Sequence, residues 1–547
     1  MKNIVRFVFA IGLTLLASNA KGQGCYWVAF TDKNNTEYSL NNPHAYLSDR
    51  SIERRIKQNI AIDSLDIPVN IIYIDSVLSF GANMIHSSKW LNGFTVYTEL
   101  LDFESRVAKF SFVKEIQLTK PKHLAKNSFN KFIELSLKDK EPVDSSFYGS
   151  SVFQTGLLNG QYLHNQGFNG EGMQIAVLDA GFLNVDEYLA FDSLWINDQI
   201  LGTKDFVDPG SDIFNTHYHG MSVLSCMGGN VPGELIGTAR KAEYWLLRSE
   251  DDNSEYLIEE DNWVVAAEFA DSVGVDIINS SLGYYEFDDP TMNHTYAEMD
   301  GKTTRVTKAA NIAASKGILV FSSAGNEGND PWKYIIAPSD GDKVTGVGAT
   351  NAFGVAAPFT SFGPASDGDI KPNVCALGWG TYLQQSHGGL GFSSGTSFSS
   401  PVMAGMAACL MQANPFASAI EVKNAIEQSA HLYNAPDSLL GYGIPDMKLA
   451  DQILESTNDF LWAENKNWMA YPNPLNDYII LQHKPGKKSE EVTIEIFSAD
   501  GRFIQKRVLP FSSKIVLNKL QSLPLGILLF RIRTESSTET IKLSKFQ

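Results

Sequence analysis

The chain has 547 residues, of which 44% are hydrophobic and 19% are charged, and its formal net charge is −18. This length and this apolar content are sufficient for several domains, each with a hydrophobic core of its own. An acidic balance of this size keeps a protein soluble and argues against nucleic acid as a partner, since no long basic run occurs in the central region.

The amino-terminal residues 1–22 are predicted to form an export signal. Lys2 and Arg6 precede the apolar stretch Phe7–Ala17, and Ser18-Asn-Ala20 offers small residues for cleavage. The apolar stretch is too short for a membrane span. Because no later stretch reaches that length, we expect the mature protein to have no transmembrane segment.

Residues 23–122 predict a small α+β domain. Tyr26–Phe30 and Gly93–Thr98 are strand candidates, and Ser51–Lys57 has helical spacing. The irregular, lysine-rich segment that follows, residues 123–146, is typical of an exposed linker at which proteolytic processing occurs.

The central region, residues 147–455, alternates short apolar strands with helices. Strands are expected at 173–178, 244–248, 275–280, 318–322 and 344–349, and helices near 219–228, 254–273, 303–316 and 398–412. This alternation predicts an α/β fold of three layers with a mostly parallel sheet, in which ligands bind at the carboxyl ends of the strands.

Three chemically useful side chains stand at the ends of these elements. Asp179 follows the first strand, His219 begins a helix, and Ser397 lies between a glycine-rich turn and the apolar helix expected after Pro401. A serine hydroxyl becomes nucleophilic when a histidine takes its proton and a carboxylate orients that histidine. The three residues therefore predict a catalytic triad in the order Asp, His, Ser. His217 is the alternative base.

Two acidic groups, Glu250-Asp-Asp252 and Glu259-Glu-Asp261, lie upstream of the strand at 275–280. If they lined a binding cleft, they would favour basic side chains in a substrate. The alternative is a solvated helix start, with acids at the positive end of the helix dipole.

The residues after a predicted linker at 456–467 have a different pattern. In 468–547, Val492–Phe497 and Ile527–Arg533 are strand candidates, and Ala499-Asp-Gly501 predicts a turn. Short runs in which apolar and polar residues alternate, separated by turns, predict a small antiparallel β-sandwich.

The chain contains four cysteines, at positions 25, 226, 375 and 409. In an exported protein they could form disulfides, whose connectivity the sequence does not give. The alternative is that they are buried thiols that pack as small hydrophobic groups.

Five blocks of the central region together resemble the subtilisin-type (subtilase) serine endopeptidases. The blocks are Asp179 with Gly181, His219-Gly220, Asp276–Gly283, Ser322–Gly328 and Gly391–Pro401, and they span about half of the chain. The resemblance favours His219 over His217 as the base. It also implies that Asn326 donates into an oxyanion hole beside the Ser397 amide, for which an ordinary turn is the alternative. Ser281, Leu282 and Gly283 are implied to bind substrate.

The same resemblance implies three further features. Residues 23–122 occupy the place of a propeptide, and a permanent accessory domain is the alternative. No cofactor is required and no metal ligand is assigned, although Ca²⁺ is an optional structural ion in this family. Ala180, Met221-Ser222 and Phe398-Ser399 depart from the residues usual in the family, which leaves the pocket shape open.

The carboxyl-terminal region resembles the sorting domain of type IX secretion cargo in Bacteroidota. The resemblance rests on Tyr471-Pro-Asn-Pro474, Asp500-Gly501, Leu523–Gly526 and the closing Ile541–Phe546. It implies export through the periplasm to the medium or the outer cell surface, with the type IX machinery as a partner. A sandwich that binds carbohydrate or protein is the alternative.

These expectations combine into a secreted serine endopeptidase that hydrolyses protein and peptide substrates through an acyl-enzyme intermediate. Two other classes keep the fold without hydrolysis. One is a catalytically silent, subtilase-like binding protein, and the other is an exported adhesin whose important part is the terminal sandwich.

Overall fold

The computed structural model describes residues 23–122, 146–457 and 467–545, apart from residues 472, 476–477, 484–490, 513 and 536. The predicted export signal and most of the two predicted linkers lie outside these residues.

The amino-terminal region is a four-stranded antiparallel sheet with three helices. Its elements are β1 (Gly24–Phe30), α1 (Asp49–Lys57), α2 (Ile71–Leu78), β2 (Asn83–Ser88), β3 (Gly93–Thr98), α3 (Phe103–Val107) and β4 (Val113–Pro121). The strand order is β2-β3-β1-β4. Ile74 of α2 and Phe103 of α3 are buried in one apolar cluster with Val28 and Phe94 of the sheet. The predicted α+β character is confirmed.

The central region contains a seven-stranded sheet between helices. Its elements are α4 (Val152–Gly156), α5 (Gln161–Asn165), β5 (Gln174–Asp179), α6 (Asp192–Ile196), β6 (Ile200–Asp205), α7 (His219–Gly228), β7 (Asn230–Val231), β8 (Leu235–Ile236), β9 (Glu243–Arg248), α8 (Ile258–Val273), β10 (Ile277–Ser280), α9 (Arg305–Ser315), β11 (Leu319–Ser323), β12 (Thr345–Thr350), β13 (Val374–Leu377), β14 (Trp379–Gln384), β15 (Leu390–Ser394), α10 (Thr396–Ala413), α11 (Ala419–Gln428) and α12 (Met447–Thr457). The sheet order is β13-β12-β11-β10-β5-β9-β6, and all its pairs are parallel.

Strand β5 shows why the region has three layers. Ile175 and Val177 pack into the apolar cluster that includes α7 and α10, whereas Ala176 and Leu178 pack into the cluster that includes α8 and α9. Successive side chains of a strand point to opposite faces, so a strand that is apolar throughout is buried on both sides. The predicted three-layer α/β fold is confirmed.

The amino-terminal region packs against α8 of the central region through buried polar groups. The Glu268 carboxylate accepts hydrogen bonds from the Ser88 hydroxyl at 2.6 Å and from the Trp90 backbone N–H at 3.0 Å. The fully buried Asp271 pairs with Arg54 at 2.5 Å and with Arg55 at 2.9 Å. Removing one partner of a buried ion pair costs about 3–5 kcal/mol, so these contacts tie the two regions together.

The carboxyl-terminal region has two antiparallel sheets around one apolar cluster. Its strands are β16 (Trp468–Tyr471), β17 (Ile479–His483), β18 (Glu491–Ser498), β19 (Phe503–Pro510), β20 (Lys514–Leu517), β21 (Gly526–Arg533) and β22 (Thr538–Lys545). The sheet orders are β16-β17-β20 and β19-β18-β21-β22. Val492, Ile494 and Ile496 alternate along β18 and are all buried in the shared cluster. Two sheets that enclose one core form the predicted β-sandwich.

The four cysteines are buried and unpaired. Burial alone raises the pKa of the Cys226 and Cys409 thiols far above its usual value. This outcome agrees with the interpretation as small hydrophobic groups and excludes disulfides in this structure. In residues 23–122, 146–457 and 467–545, none of the helices has the length and apolar character needed to cross a membrane.

Candidate active site

The carboxyl end of β5 and the first residue of α7 bring Asp179 and His219 together. Asp179 is fully buried, and its Oδ1 accepts hydrogen bonds from His219 Nδ1 at 2.7 Å and from the Ala180 backbone N–H at 2.8 Å. Gly220 permits this approach, because a Cβ there would lie 2.5 Å from the Gly181 carbonyl oxygen and 2.8 Å from the Asp179 Cβ. The carboxylate therefore orients the imidazole through Nδ1 and leaves Nε2 for a reacting group.

His217, the alternative base, occupies a different place. Its Nδ1 accepts the backbone N–H of His219 at 3.2 Å, and the two rings lie 6.5 Å apart. Burial, together with the nearby His219, lowers the pKa of His217 to about 4. His217 is therefore neutral at neutral pH and borders the pair formed by Asp179 and His219.

Ser397 lies in the first turn of α10, which begins at Thr396. The helix predicted near 398–412 is confirmed and begins two residues earlier, and Pro401 is tolerated inside it for a local reason. Proline has no N–H to donate to the carbonyl four residues earlier, and that carbonyl, on Ser397, accepts the Ser281 hydroxyl at 2.8 Å. The helix therefore continues through Pro401 without leaving this carbonyl unsatisfied.

The Ser397 side chain also contacts Ser281, and its neighbour Phe398 lies near the His219 ring. The Ser397 hydroxyl donates to the carbonyl oxygen of Ser281 at 3.3 Å. The His219 ring lies 6.1 Å from the ring of Phe398, the next residue along α10. Hydrogen bonds between catalytic groups are often long before substrate binds, and a triad would require the Ser397 hydroxyl to turn from the Ser281 carbonyl toward the imidazole.

Asn326 follows β11 and faces the start of α10. Its Oδ1 accepts hydrogen bonds from the Thr396 backbone N–H at 2.9 Å and from the Thr396 hydroxyl at 3.0 Å, which fixes the orientation of the amide. A Cβ built on Gly395 would lie 3.7 Å from the Ser397 backbone nitrogen and 3.8 Å from Asn326 Nδ2. Two N–H donors thus flank one small space that glycine leaves open, as an oxyanion hole requires.

One cavity joins the predicted binding residues to the nucleophile. Ser281, Leu282, Gly283, Asn326 and Ser397 all line it. Ser281 itself is 4% exposed, and its side chain is used to hold the Ser397 carbonyl. In this structure the Ser281 hydroxyl therefore fixes the backbone of Ser397.

Four glutamates line the same cavity: Glu250, Glu255, Glu286 and Glu327. Of the acidic stretch 250–261 singled out in the sequence, only Glu250 and Glu255 reach the cavity. Asp251 pairs instead with Lys120 at 3.1 Å, and Asp261 pairs with Arg305 at 2.8 Å. Sequence reasoning missed Glu286 and Glu327, although Glu327 directly follows Asn326 in the motif.

Three buried carboxylates, on Glu250, Glu255 and Glu259, have oxygens within 4.8 Å of one another. Ca²⁺ takes six to eight oxygen ligands. This cluster supplies three, and Glu250 Oε2 also accepts the Tyr284 hydroxyl at 2.8 Å. The donor set does not by itself fit a calcium ion, so no metal ligand is assigned.

Asn326→Ala is expected to lower kcat by about 10²–10³ with a small change in KM, a loss known from an oxyanion-hole asparagine of subtilisin. The reason is that the lost donor contacts the oxyanion only after the carbonyl has been attacked. Steady-state kinetics on a chromogenic peptide measures both constants. A rise in KM with kcat unchanged would make Asn326 a substrate-binding residue.

Comparison with known proteins agrees with this geometry. The profile of the Subtilase family matches residues 170–443, that of the Peptidase S8 propeptide domain, Bacteroidota, matches 25–133, and that of the Secretion system C-terminal sorting domain matches 469–545. Thermophilic serine proteinase of Bacillus sp. (strain AK1) is 28% identical over 274 residues, which are 50% of this chain and 60% of that protein. Subtilisin BL of Lederbergia lenta is 26% identical over 292 residues, which are 52% of this chain and 93% of that protein.

The fold and these matches support a serine-type endopeptidase. The chain belongs to the subtilase family, whose profile covers half of it.

Proposed function

We propose that the protein is a secreted endopeptidase that hydrolyses peptide bonds with Ser397 as nucleophile, His219 as base and Asp179 as its orienting carboxylate. The 2.7 Å hydrogen bond between His219 Nδ1 and Asp179 Oδ1 carries the proposal, because it orients an imidazole whose ring lies 6.1 Å from the ring of Phe398, the residue after Ser397. The match to the family profile supports it independently.

The steps follow from these positions. Ser397 Oγ attacks the scissile carbonyl while His219 Nε2 takes the hydroxyl proton, and Asp179 stabilises the imidazolium that forms. The Ser397 amide and Asn326 Nδ2 donate to the oxyanion. His219 then gives its proton to the leaving amine, and the acyl-enzyme is hydrolysed when water, deprotonated by His219, attacks the ester.

A fluorophosphonate probe tests the proposal directly. Wild-type protein is expected to be labelled at one serine, because only a hydroxyl activated by a base displaces fluoride from phosphorus at a measurable rate. Ser397→Ala is expected to abolish labelling, and Ser399→Ala, two residues further along α10, is the matched control. A wild-type protein that resists the probe would favour the silent binding protein or the adhesin.

The arrangement of the regions supports a precursor that is processed and exported. We infer an export signal at 1–22, a propeptide at 23–122, a processing linker at 123–146, the peptidase at 147–455, a second linker at 456–467 and a sorting sandwich at 468–547. The buried contacts to Glu268 and Asp271 agree with a propeptide that is held by the peptidase after cleavage. The match to the sorting-domain profile supports a location outside the cell or on its outer surface. The proposed route leads through the periplasm and the type IX machinery.

The proposed chemistry uses amino-acid side chains and water throughout, and therefore requires no cofactor. Ca²⁺ enters only as an optional structural ion. Protein and peptide chains are the proposed substrates.

A further inference from the structure

The cavity beside Ser397 is lined by carboxylates that come from three separate loops. Glu250 and Glu255 follow β9, Glu286 follows β10, and Glu327 follows β11. The described residues that line the cavity include these four glutamates and no Lys, Arg or His. The cavity measures about 80 Å³, and Ser397 is one of the residues that line it.

Hydrogen bonds hold two of these carboxylates in place. Glu327 Oε2 accepts the Ser361 hydroxyl at 2.7 Å, and the same hydroxyl oxygen accepts the Glu327 backbone N–H at 3.0 Å. Gly325, whose φ is +108°, makes room for this arrangement, because a Cβ there would lie 2.3 Å from Glu327 Oε2. Glu250 is fixed by the Tyr284 hydroxyl.

The loops that carry the other two glutamates are joined to each other. The Glu255 backbone N–H donates to Asp288 Oδ2 at 3.1 Å, and the Asp288 backbone N–H donates to the Glu255 carbonyl at 2.9 Å. Glu286 lies two residues before this junction. The acidic lining is therefore part of the folded framework of the cleft.

Concentrating negative charge in a partly buried cavity raises the free energy of its ionised form, and a bound cation lowers it. Burial already raises the pKa of Glu327 to about 7. A substrate group that brings a positive charge into the cavity therefore gains Coulomb energy that a neutral group of the same size does not.

The chain itself carries positively charged side chains in and next to the segment at which it is expected to be cleaved. Lys120 and Lys122 end the amino-terminal region, and lysines recur at 126, 131, 138 and 140. The Lys120 ammonium lies 3.1 Å from Asp251 and 2.9 Å from the Ser254 hydroxyl, on the loop that carries Glu250 and Glu255. Lys120, at the start of this lysine-rich stretch, therefore contacts the loop that carries two of the four glutamates.

We propose that this cavity receives the side chain of the substrate residue that precedes the scissile bond, and that its glutamates select lysine or arginine there. This inference rests on the proposed peptidase function and names its substrate class. Glu327 and Glu250 are the residues expected to determine specificity most strongly, because hydrogen bonds already orient their carboxylates.

Blocked chromogenic tetrapeptides that differ only in Lys, Arg, Met or Leu before the scissile bond test the proposal on the wild-type enzyme. The kcat/KM for Lys is expected to exceed that for Met, which has a similar length and no charge, by at least about tenfold, the effect of a close charge pair at an interface. Equal or lower kcat/KM for Lys would overturn the proposal while leaving the peptidase function intact. Hydrolysis of none of the peptides, together with failed fluorophosphonate labelling, would instead remove the proposed function.

Isosteric variants assign the effect to residues. Glu327→Gln and Glu250→Gln are each expected to lower the Lys-to-Met ratio by about tenfold, since each removes one charge. Asp252→Asn is the matched control, because Asp252 lies two residues from Glu250 but outside the cavity, where it approaches Arg248 at 3.7 Å. A ratio unchanged in both glutamine variants, or lowered equally in Asp252→Asn, would contradict the assignment.

Two other occupants are outcomes of the same assay. If the blocked peptides show no preference for Lys, and the same peptides with a free amino terminus are hydrolysed faster, the cavity holds the terminal ammonium and the proposal is wrong. If millimolar Ca²⁺ abolishes the preference and EDTA restores it, the glutamates hold a metal ion. A preference that survives blocking, Ca²⁺ and EDTA supports the side-chain subsite.

The pH dependence of the ratio provides an independent check. Below pH 7 Glu327 is mostly protonated and neutral, and above pH 7 it is mostly ionised. The Lys-to-Met ratio of kcat/KM is therefore expected to rise between pH 6 and 8, and taking the ratio cancels the titration of the catalytic groups. The titratable groups that face Glu327 or share its cavity are Asp330, Tyr285, Glu250, Glu255 and Glu286. A ratio that does not rise with pH would contradict the role of Glu327.

Discussion

Replacing His219 with alanine is expected to lower kcat by about 10⁶, the loss that removal of the corresponding histidine causes in subtilisin, a member of the same family. His219 Nδ1 donates the hydrogen bond that Asp179 Oδ1 accepts, and removal of this oriented imidazole leaves Ser397 without a base. The fall is measured with a chromogenic peptide at saturating concentration, after thermal unfolding has shown that the variant is folded.

His217→Ala is the matched control for this experiment. The alanine variant loses the one hydrogen bond that His217 Nδ1 accepts from the His219 backbone N–H. The loss of one such bond corresponds to a change in kcat of less than about tenfold. If His217→Ala removed activity and His219→Ala did not, the base would be assigned wrongly.

Asp179→Asn is expected to lower kcat by about 10⁴, in line with the same substitution in serine-protease triads. Asp179 Oδ1 accepts from both His219 and Ala180. The other oxygen, Oδ2, has no hydrogen-bond partner within the described part of the chain. An asparagine can therefore keep its oxygen at the Oδ1 position, with its NH₂ group in place of Oδ2. The variant then retains the imidazole orientation and loses the charge that stabilises the imidazolium.

Asp205→Asn is the control for the cost of losing a buried carboxylate. Asp205 ends β6, two strands away from β5, and pairs with Arg248 at 3.0 Å. It is expected to destabilise the fold without a comparable fall in kcat. Equal losses of kcat in Asp179→Asn and Asp205→Asn would mean that the effect on Asp179 is structural, and thermal unfolding of both variants separates the two cases.

The residues proposed for the chemistry were predictable because each is marked by its immediate neighbours. Asp179 ends an apolar strand, Gly220 follows His219, and glycine-rich turns precede Ser397 and surround Asn326. A strand of buried residues, a helix start and a turn are local features, and parallel strands bring their carboxyl ends to one edge. The central strands and the sandwich followed from the same kind of periodicity.

The edges of the sheet were not predicted. β13 has four residues, and β6 ends in the charged pair Lys204-Asp205, so neither presents a long apolar run. These two segments are strands because they pair with β12 and β9, and such long-range pairing cannot be predicted from the local sequence. The partner of the carbonyl that Pro401 leaves open in α10 was not predicted for a related reason, since Ser281 lies 116 residues earlier in the chain.

The acidic lining of the cleft was predictable only in part. Within 250–261, some acidic side chains line the cavity, and others form ion pairs with Lys120 or Arg305. Residue spacing does not show which acidic side chain does which, because Lys120 belongs to the amino-terminal region and Arg305 to α9. Glu286 and Glu327 become part of the same lining only through the tertiary arrangement of three loops.

Pro401 has a consequence for how far the site can change during evolution or by engineering. Any other amino acid at this position would bring an amide hydrogen that competes with the Ser281 hydroxyl for the carbonyl of Ser397. The helix and the Ser281 hydroxyl would then share this carbonyl, while the Ser397 hydroxyl would still donate to the carbonyl of Ser281. A missing hydrogen on one residue thus reserves a carbonyl of the helix for a second link between two distant stretches of the chain.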